Sequence, residues 1–350
     1  MKKITFVRMQ DTPFGGAENY LKRLIKELKN RKIDVELLEF SQPKWLVSWI
    51  KLPLYNLEAC KNKNDRFYFS NDRLSCLDIH RAGGGTHKSF LKTKGFTLNP
   101  LHLIYPMMEK KALKNSKAII AISNMVKRDI IKDYKIDPKK IEVIYNGIEI
   151  PYLSKEAINL IKKDFCNEFK LKENRKIILY VGSGFKRKGV KEFLEILSNL
   201  KMPFYAFVVG KDKNLSKYKL IAKKLKIDDK VIFTGPREDV NKFYLSSDIF
   251  LFPTYYEPFG NVILEAMSFY NVVITTKQCG AGEILEDVPL MKNPKDYKIA
   301  TFIDELISNL TKLESLKIKN RKISEKFSIQ NNVDKTLELI KRVQNENFDN

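Results

Sequence analysis

Residues 176–197 read KIILYVGSGFKRKGVKEFLEIL. The apolar run at its start predicts a buried strand over Lys176–Gly182. The glycine-rich turn closes that strand, and a helix opens beyond it. Strand, glycine turn and helix form the unit from which parallel sheets are wound, because a parallel neighbour is reached only through a crossover. The start of the chain has the same unit. Lys3–Met9 predicts a strand, Pro13-Phe14-Gly15-Gly16 a turn, and Leu21, Leu24, Ile25 and Leu28 give a helix one apolar face at i, i+3, i+4 and i+7.

Outward from these two starts, short β-rich runs alternate with longer helical patterns. After Lys3–Met9, strands are predicted at Asp34–Phe40, Phe67–Ser70, Leu77–Arg81, Ala118–Ser123 and Glu142–Tyr145. After Lys176–Gly182 they are predicted at Tyr205–Gly210, Val231–Gly235, Ile249–Pro253 and Val272–Thr276. Between the two series lies Asn146-Gly147-Ile148-Glu149-Ile150-Pro151, followed by a polar helix to about Lys170. This break predicts an N-terminal domain over 1–150 and a C-terminal domain over 151–328. A last helix, about Ile329–Asn345 within 329–350, is expected to cross back to the first domain. The expected class is α/β: two Rossmann-like, doubly wound parallel-sheet domains facing a central cleft, with ligands at the carboxyl ends of the strands.

The chain has 350 residues, 43% hydrophobic and 30% charged, as a globular protein should. No apolar run approaches the about 20 residues of a spanning helix. Met1-Lys2-Lys3 resembles the basic end of a signal peptide, but the apolar stretch stops at Arg8 and no small-residue cleavage site follows. A cytoplasmic protein is expected, with Cys60, Cys76, Cys166 and Cys279 as reduced thiols, since no CxxC or histidine cluster accompanies them. Net charge is +22, and Arg81–Lys117 holds eight basic residues against Glu109 alone. Such a field attracts nucleic acid, anionic lipid or a phosphorylated glycolipid, although a lysine-rich solvated surface explains it equally well. The same stretch contains Phe90, Leu91, Phe96, Leu98, Leu101, Leu103, Ile104, Tyr105, Met107 and Met108. That mixture suits either a peripheral contact with an anionic membrane or core packing.

Three motifs carry chemistry. Phe14-Gly15-Gly16-Ala17-Glu18 opens a helix after the first strand, where a diphosphate is the natural guest of the glycine backbone and the helix start. Gly182-Ser183-Gly184-Phe185-Lys186-Arg187-Lys188-Gly189 places cations beside a second glycine turn. Pointed at a leaving diphosphate, Lys188 and Arg187 would neutralise the charge that grows there. Glu257-Pro258-Phe259-Gly260-Asn261 leads into a helix carrying Glu265, eight residues on. A carboxylate accepts two hydrogen bonds from a ribose diol. Among Val262, Ile263, Leu264, Ala266 and Met267, Glu265 is expected to be buried and to need a partner.

These motifs, with Ile144-Tyr145-Asn146-Gly147-Ile148 at the junction, resemble the retaining GT-B glycosyltransferases of the glycogen-synthase and mannosyltransferase group. The match runs nearly end to end in the family's order. Within the group, Tyr180–Val190, Val208–Lys213, Thr275–Gly280, Pro13–Gly16 and Leu77–Ile79 resemble the bacterial lipopolysaccharide core enzymes that glucosylate inner-core heptose. The resemblance implies that Gly15 and Gly16 cover the donor diphosphate from the N-terminal domain, while Lys188 and Arg187 bind it from the C-terminal one. Glu257 with Phe259, Gly260, Asn261 and Val262 would hold the donor sugar, Glu265 the ribose, and Pro236, Arg237 and Val240 the base. His87 or Asp78 would meet the acceptor, with His102 as a weaker candidate. The chain departs from the family pattern at Ser183, where many relatives have arginine. It departs also at Phe269-Tyr270-Asn271 and at Gly280-Ala281-Gly282-Glu283. These departures bear on sugar and base preference.

The implied reaction moves a hexose, glucose by the narrower likeness, from a UDP-sugar to a phosphorylated glycolipid acceptor with retention. No acidic DxD closes a strand, so cations and helix amides are expected to replace a metal, and no cofactor is expected. Another retaining hexosyltransferase is the alternative within enzymes. A nucleic-acid-binding protein is the remote rival, without an RRM or zinc-finger signature to support it. A nicotinamide oxidoreductase is weaker still, since GxGxxG is missing.

Overall fold

The computed structural model describes residues 2–9, 16–43, 45–94, 98–172 and 175–345. It divides into two compact units, Met1–Gly147 with Ser328–Asn350, and Ile148–Phe327.

In the first unit β1 (Ile4–Arg8), β2 (Val35–Glu39), β3 (Phe67–Ser70), β4 (Ile79–Ala82), β5 (Ala118–Ala121) and β6 (Ile141–Val143) form a parallel sheet in the order β2-β1-β3-β4-β5-β6. Every residue of β1, β3, β4 and β5 is buried. Central parallel strands are covered on both faces, so they read as continuous apolar runs. β4 begins two residues later than the apolar pattern predicts. Asp78 turns the chain there, accepting the Tyr68 amide at 2.8 Å. The helix Gly16–Asn30 lays Leu21, Leu24 and Leu28 on the sheet.

The last helix, Ile329–Asn345, completes this core with Ile329, Val333, Leu337, Ile340 and Val343. Polar bonds fix its position. Tyr20 Oη donates to Asn332 Oδ1 at 2.8 Å, Asn332 Nδ2 donates to the Tyr145 carbonyl at 2.6 Å, and the Lys2 amide donates to Gln344 Oε1 at 2.9 Å.

One expectation fails here. Cys60 and Cys76 are joined in a disulfide, while Cys166 and Cys279 keep their thiols. The helix Ser48–Lys61 folds back over the segment between β3 and β4 and brings the two Cα atoms within 5.6 Å. That return is a tertiary event, which the spacing of 16 residues does not announce. The disulfide also removes one argument for a reducing compartment.

In the second unit β7 (Lys176–Val181), β8 (Phe204–Val209), β9 (Val231–Gly235), β10 (Ile249–Phe252) and β11 (Val272–Thr275) form a parallel sheet in the order β11-β10-β7-β8-β9. The strand order reverses between β7 and β10. At such a point the two crossovers leave toward opposite faces and a crevice opens beyond the strands' carboxyl ends.

The contribution of the last helix to the first core is testable. Ile340 is fully buried, so Ile340→Ala should cost about 2–5 kcal/mol. Calorimetry should show a lowered transition for the first unit, while that of the second stays in place.

Candidate functional site

The residues beyond β7 and β10 meet at the reversal point. Gly189 makes their approach possible: its φ is +76°, and a Cβ there would lie 1.8 Å from the Pro253 carbonyl oxygen. The short helix Phe185–Lys188 is held at both ends. The Phe185 amide donates to Asp212 Oδ2 at 2.8 Å, and the Arg187 carbonyl accepts the Tyr255 amide at 3.0 Å. Ser183 accepts the Lys211 amide at 3.1 Å and ties the turn after β7 to the turn after β8.

This frame brings Arg187, Lys188 and Glu257 together. Arg187 Nη1 donates to the Tyr256 carbonyl at 2.5 Å and to Glu257 Oε2 at 3.1 Å; Lys188 Nζ lies 3.5 Å from the same carboxylate oxygen. Burial alone would push the Glu257 carboxyl upward, but Lys188 and then Arg187 hold it below the usual carboxylate range. Two cations against one carboxylate leave a net positive charge in a desolvated setting, which suits an anionic ligand. The backbone of Glu257 is bonded on both sides, its amide donating to the Gln278 carbonyl at 3.0 Å and its carbonyl accepting the Gly280 amide at 2.9 Å. Gly260, at φ +94°, would place a Cβ 3.2 Å from both Glu257 Cγ and Cys279 Sγ. The buried Cys279 thiol lies 3.1 Å from the Phe259 carbonyl and is pushed up to about 12, by burial and then by Glu257. It is therefore a neutral packing group.

Other donor-side residues are placed as follows. Phe259 is buried, and its carbonyl accepts the Ala281 amide at 2.8 Å. Asn261 and Val262, both half-buried, open the helix Asn261–Ser268, which no side chain caps at Gly260. Glu265 is half-buried on that helix rather than buried, and its partner is the buried Tyr244, whose hydroxyl donates to Oε2 at 3.1 Å. Nothing in the sequence pattern singled out Tyr244. Pro236 is exposed and Val240 half-buried, while Arg237 grips Asp239 with two bonds of 2.8 and 2.7 Å and also meets Glu168 at 3.2 Å. That grip shapes the loop after β9.

In the first unit, Gly15 lies outside the described residues. Gly16 begins its helix with open space where a Cβ would stand. His87 starts the helix His87–Lys94 inside a polar cluster that the motif reading missed. Its amide donates to Glu109 at 2.8 Å, Arg73 Nε donates to the same carboxylate at 2.8 Å, and the Tyr134 hydroxyl bonds to it as well. The His87 ring stacks on Tyr105 and hydrogen-bonds to His102, Nε2 to Nδ1, at 2.9 Å. Burial and then the Arg73 charge lower this imidazole to about 4. His102, the weaker candidate, is thus its direct partner.

Asp78 does not join them. It precedes β4 at the amino edge of the sheet, buried and ion-paired to Lys63 at 2.9 Å and Lys117 at 3.2 Å. Ligands gather at the opposite, carboxyl edge, so Asp78 is corrected to a residue that holds the sheet's edge.

Residues 161–323 match the family of glycosyl transferases group 1, and residues 66–150 match glycosyltransferase family 4. The chain is similar to the lipopolysaccharide glucosyltransferase WaaG of Escherichia coli K12, 28% identical over 62% of this chain and 60% of that protein. It is similar also to the capsular polysaccharide biosynthesis glycosyltransferase CapM of Staphylococcus aureus, 30% identical over 68% of this chain and 63% of that one. The match therefore spans less than two thirds of these relatives' length. Among solved structures, WaaG shares the fold with a TM-score of 0.79 at 20% identity, covering 96% of this chain and 99% of that one. Anabaena HepE in complex with UDP and glucose shares it with a TM-score of 0.76 at 18% identity, covering 98% and 100%.

Two measurements test this geometry. Gly189→Ala forces the two loops apart, so it should abolish stabilisation by UDP in thermal-shift assays while circular dichroism keeps its helical signal. The second concerns acid. The folded pKa of His87, about 4, lies below its ordinary 6.5, and that of the buried His80, lowered by burial and then by Arg73, is about 3. The unfolded chain then takes up protons first, and stability is complete above pH 6.5 and falls as the pH drops from 6.5 toward 4. Melting temperature followed across that range should show the fall, and His87→Phe should make it shallower, with the His80 share remaining.

Proposed function

We propose that this chain, which matches glycosyl transferases group 1 over residues 161–323 and shares its fold with WaaG, moves a hexose from a UDP-sugar to an acceptor hydroxyl with retention of configuration. The convergence of Lys188 and Arg187 on Glu257 at the strand-order reversal carries this reading. The excess positive charge receives the diphosphate, and its hold on Glu257 keeps both cations placed before the donor arrives. As the bond from the anomeric carbon to the diphosphate breaks, negative charge grows on the leaving oxygen, beside Lys188 and Arg187. Preorganised cations stabilise such charge without reorganising. The acceptor oxygen bonds to the anomeric carbon, and its proton passes to the departing phosphate. No metal or cofactor enters this scheme. Glu257 and the Phe259–Asn261 backbone bind the sugar, and Glu265, set by Tyr244, binds the ribose.

The finer reading is glucose transfer to an inner-core heptose of lipopolysaccharide or lipooligosaccharide, at the cytoplasmic face of an anionic membrane. The likeness to WaaG supports it, as do the UDP and glucose bound by HepE. His87 is the acceptor-side group in this reading; its neutral imidazole accepts or donates a hydrogen bond without adding charge. Another retaining hexosyltransferase acting on a different glycan is the second reading, favoured by the 30% identity to CapM.

A panel of UDP-, GDP- and ADP-sugars, with and without truncated lipid-core acceptors, separates these readings by nucleotide release. UDP-glucose with a heptose acceptor should turn over fastest, give an α-linked product by NMR and resist EDTA. Activity lost in EDTA and restored by manganese sinks the metal-free scheme. Lys188→Ala should lower turnover by roughly 10²–10³-fold, and near-normal turnover removes Lys188 from the site.

A further inference from the structure

A cavity of about 510 Å³ lies in the first unit at the amino edge of its sheet, where Lys117 precedes β5 and Lys140 precedes β6. Ligands of such sheets ordinarily gather at the opposite edge. Five of the residues lining the cavity are cations, Lys117, Lys127, Lys139, Lys140 and Arg342, and Glu142 is the acid among them. Backbone carbonyls fix two of the ammonium groups. Lys127 Nζ donates to the Ile141 carbonyl at 2.8 Å, on the outermost strand of the sheet. Lys140 Nζ donates to the Lys114 carbonyl at 2.7 Å, in the last turn of the helix Leu101–Asn115. A carbonyl places an ammonium without neutralising it and takes one of its three N–H donors. Both lysines therefore hold the fold and still keep their charge. The neighbouring acids are engaged elsewhere: Glu142 bonds to Arg342, Asp78 is shared between Lys63 and Lys117, and Asp137 accepts the Lys139 amide at 2.9 Å. Burial lowers the Lys140 ammonium from its ordinary value against the opposing charge of Asp137.

Ammonium groups placed in advance, with less counter-charge than they carry, attract a multivalent oxyanion. Size and lining narrow the occupant. The volume falls in the range of small-molecule sites, roughly 300–1,000 Å³, so a concave site of this kind admits a free solute. Its aliphatic members Leu339 and Val343 are buried, and a ligand therefore meets charge more than apolar area. Lysine binds phosphate as a point charge. We propose that this cavity is a binding site for a soluble diphosphate, separate from the donor site of the second unit. Lys127, Lys139 and Lys140 hold the phosphates, with the exposed Lys117 and Arg342 at the mouth. Leu339, Arg342 and Val343 belong to the last helix, so a bound diphosphate joins that helix to β6 and to the turn Pro138–Lys140. A ligand that binds only the folded unit stabilises it by mass action. The inference goes beyond the transfer reaction and does not depend on it.

The test uses the full chain carrying Lys188→Ala, which weakens the donor site, in phosphate-free buffer. Isothermal titration with inorganic pyrophosphate should show one site per chain. Calorimetry should show the transition of the first unit raised by pyrophosphate and not by sodium chloride at the same ionic strength. Lys127→Gln with Lys140→Gln should weaken pyrophosphate binding by roughly tenfold or more. Because that pair also ties two carbonyls, Lys139→Glu is the second variant. Its site is exposed, so it should weaken binding to a similar degree while the ligand-free melting temperature stays in place. Titration with UDP tells the source of the diphosphate. Lys139→Glu weakens UDP binding as well if a nucleoside diphosphate is the natural occupant, and pyrophosphate binding alone if the inorganic ion is. No binding of pyrophosphate, equal stabilisation by the matched sodium chloride, or wild-type affinity in both lysine variants overturns the proposal.

Discussion

Two cations sharing one desolvated carboxylate is the arrangement to which the second unit is built. Arg187 and Lys188 would repel each other in a setting with little water, and Glu257 is what holds them side by side. Glu257 is in turn held through its own backbone by the loop after β11, and the whole contact depends on a glycine at 189. Three successive strand ends, those of β7, β10 and β11, thus cooperate on one charged triplet. A doubly wound sheet offers such a place where its strand order turns back.

The distribution of lysines in the first unit shows how little total charge says by itself. Lys63 and Lys117 serve Asp78 at the amino edge of the sheet. Lys127 and Lys140 donate to the Ile141 and Lys114 carbonyls. Such lysines are committed to folding. Those on the outer face of the helix Leu101–Asn115 stand beside exposed apolar groups instead.

Much of this was legible in the sequence because parallel strands bury both faces. Ala118–Ala121 and Ile249–Phe252 are apolar throughout and need no context to be read as central strands. The Glu257 loop was legible for a related reason: glycine and charge crowd a strand-to-helix turn only when something must come close. The illegible features are all long-range. Cys60 meets Cys76 only because a helix returns over β3, and Asp78 reads as catalytic until the sheet shows which edge it occupies. Glu265 finds Tyr244 across 21 residues, on another helix. The cluster of Arg73, Glu109, Tyr134 and His87 joins four separate stretches, and no local pattern contains it.

The last helix has a consequence for how the chain is made. The first core includes Ile329, Val333, Leu337, Ile340 and Val343, which leave the ribosome after all of Ile148–Phe327 has been synthesised. The N-terminal part must therefore wait, with its hydrophobic seat for that helix uncovered, while the later-made unit already holds everything it needs. Order of completion is the reverse of order of synthesis, and the nascent N-terminal part is the one in need of a chaperone.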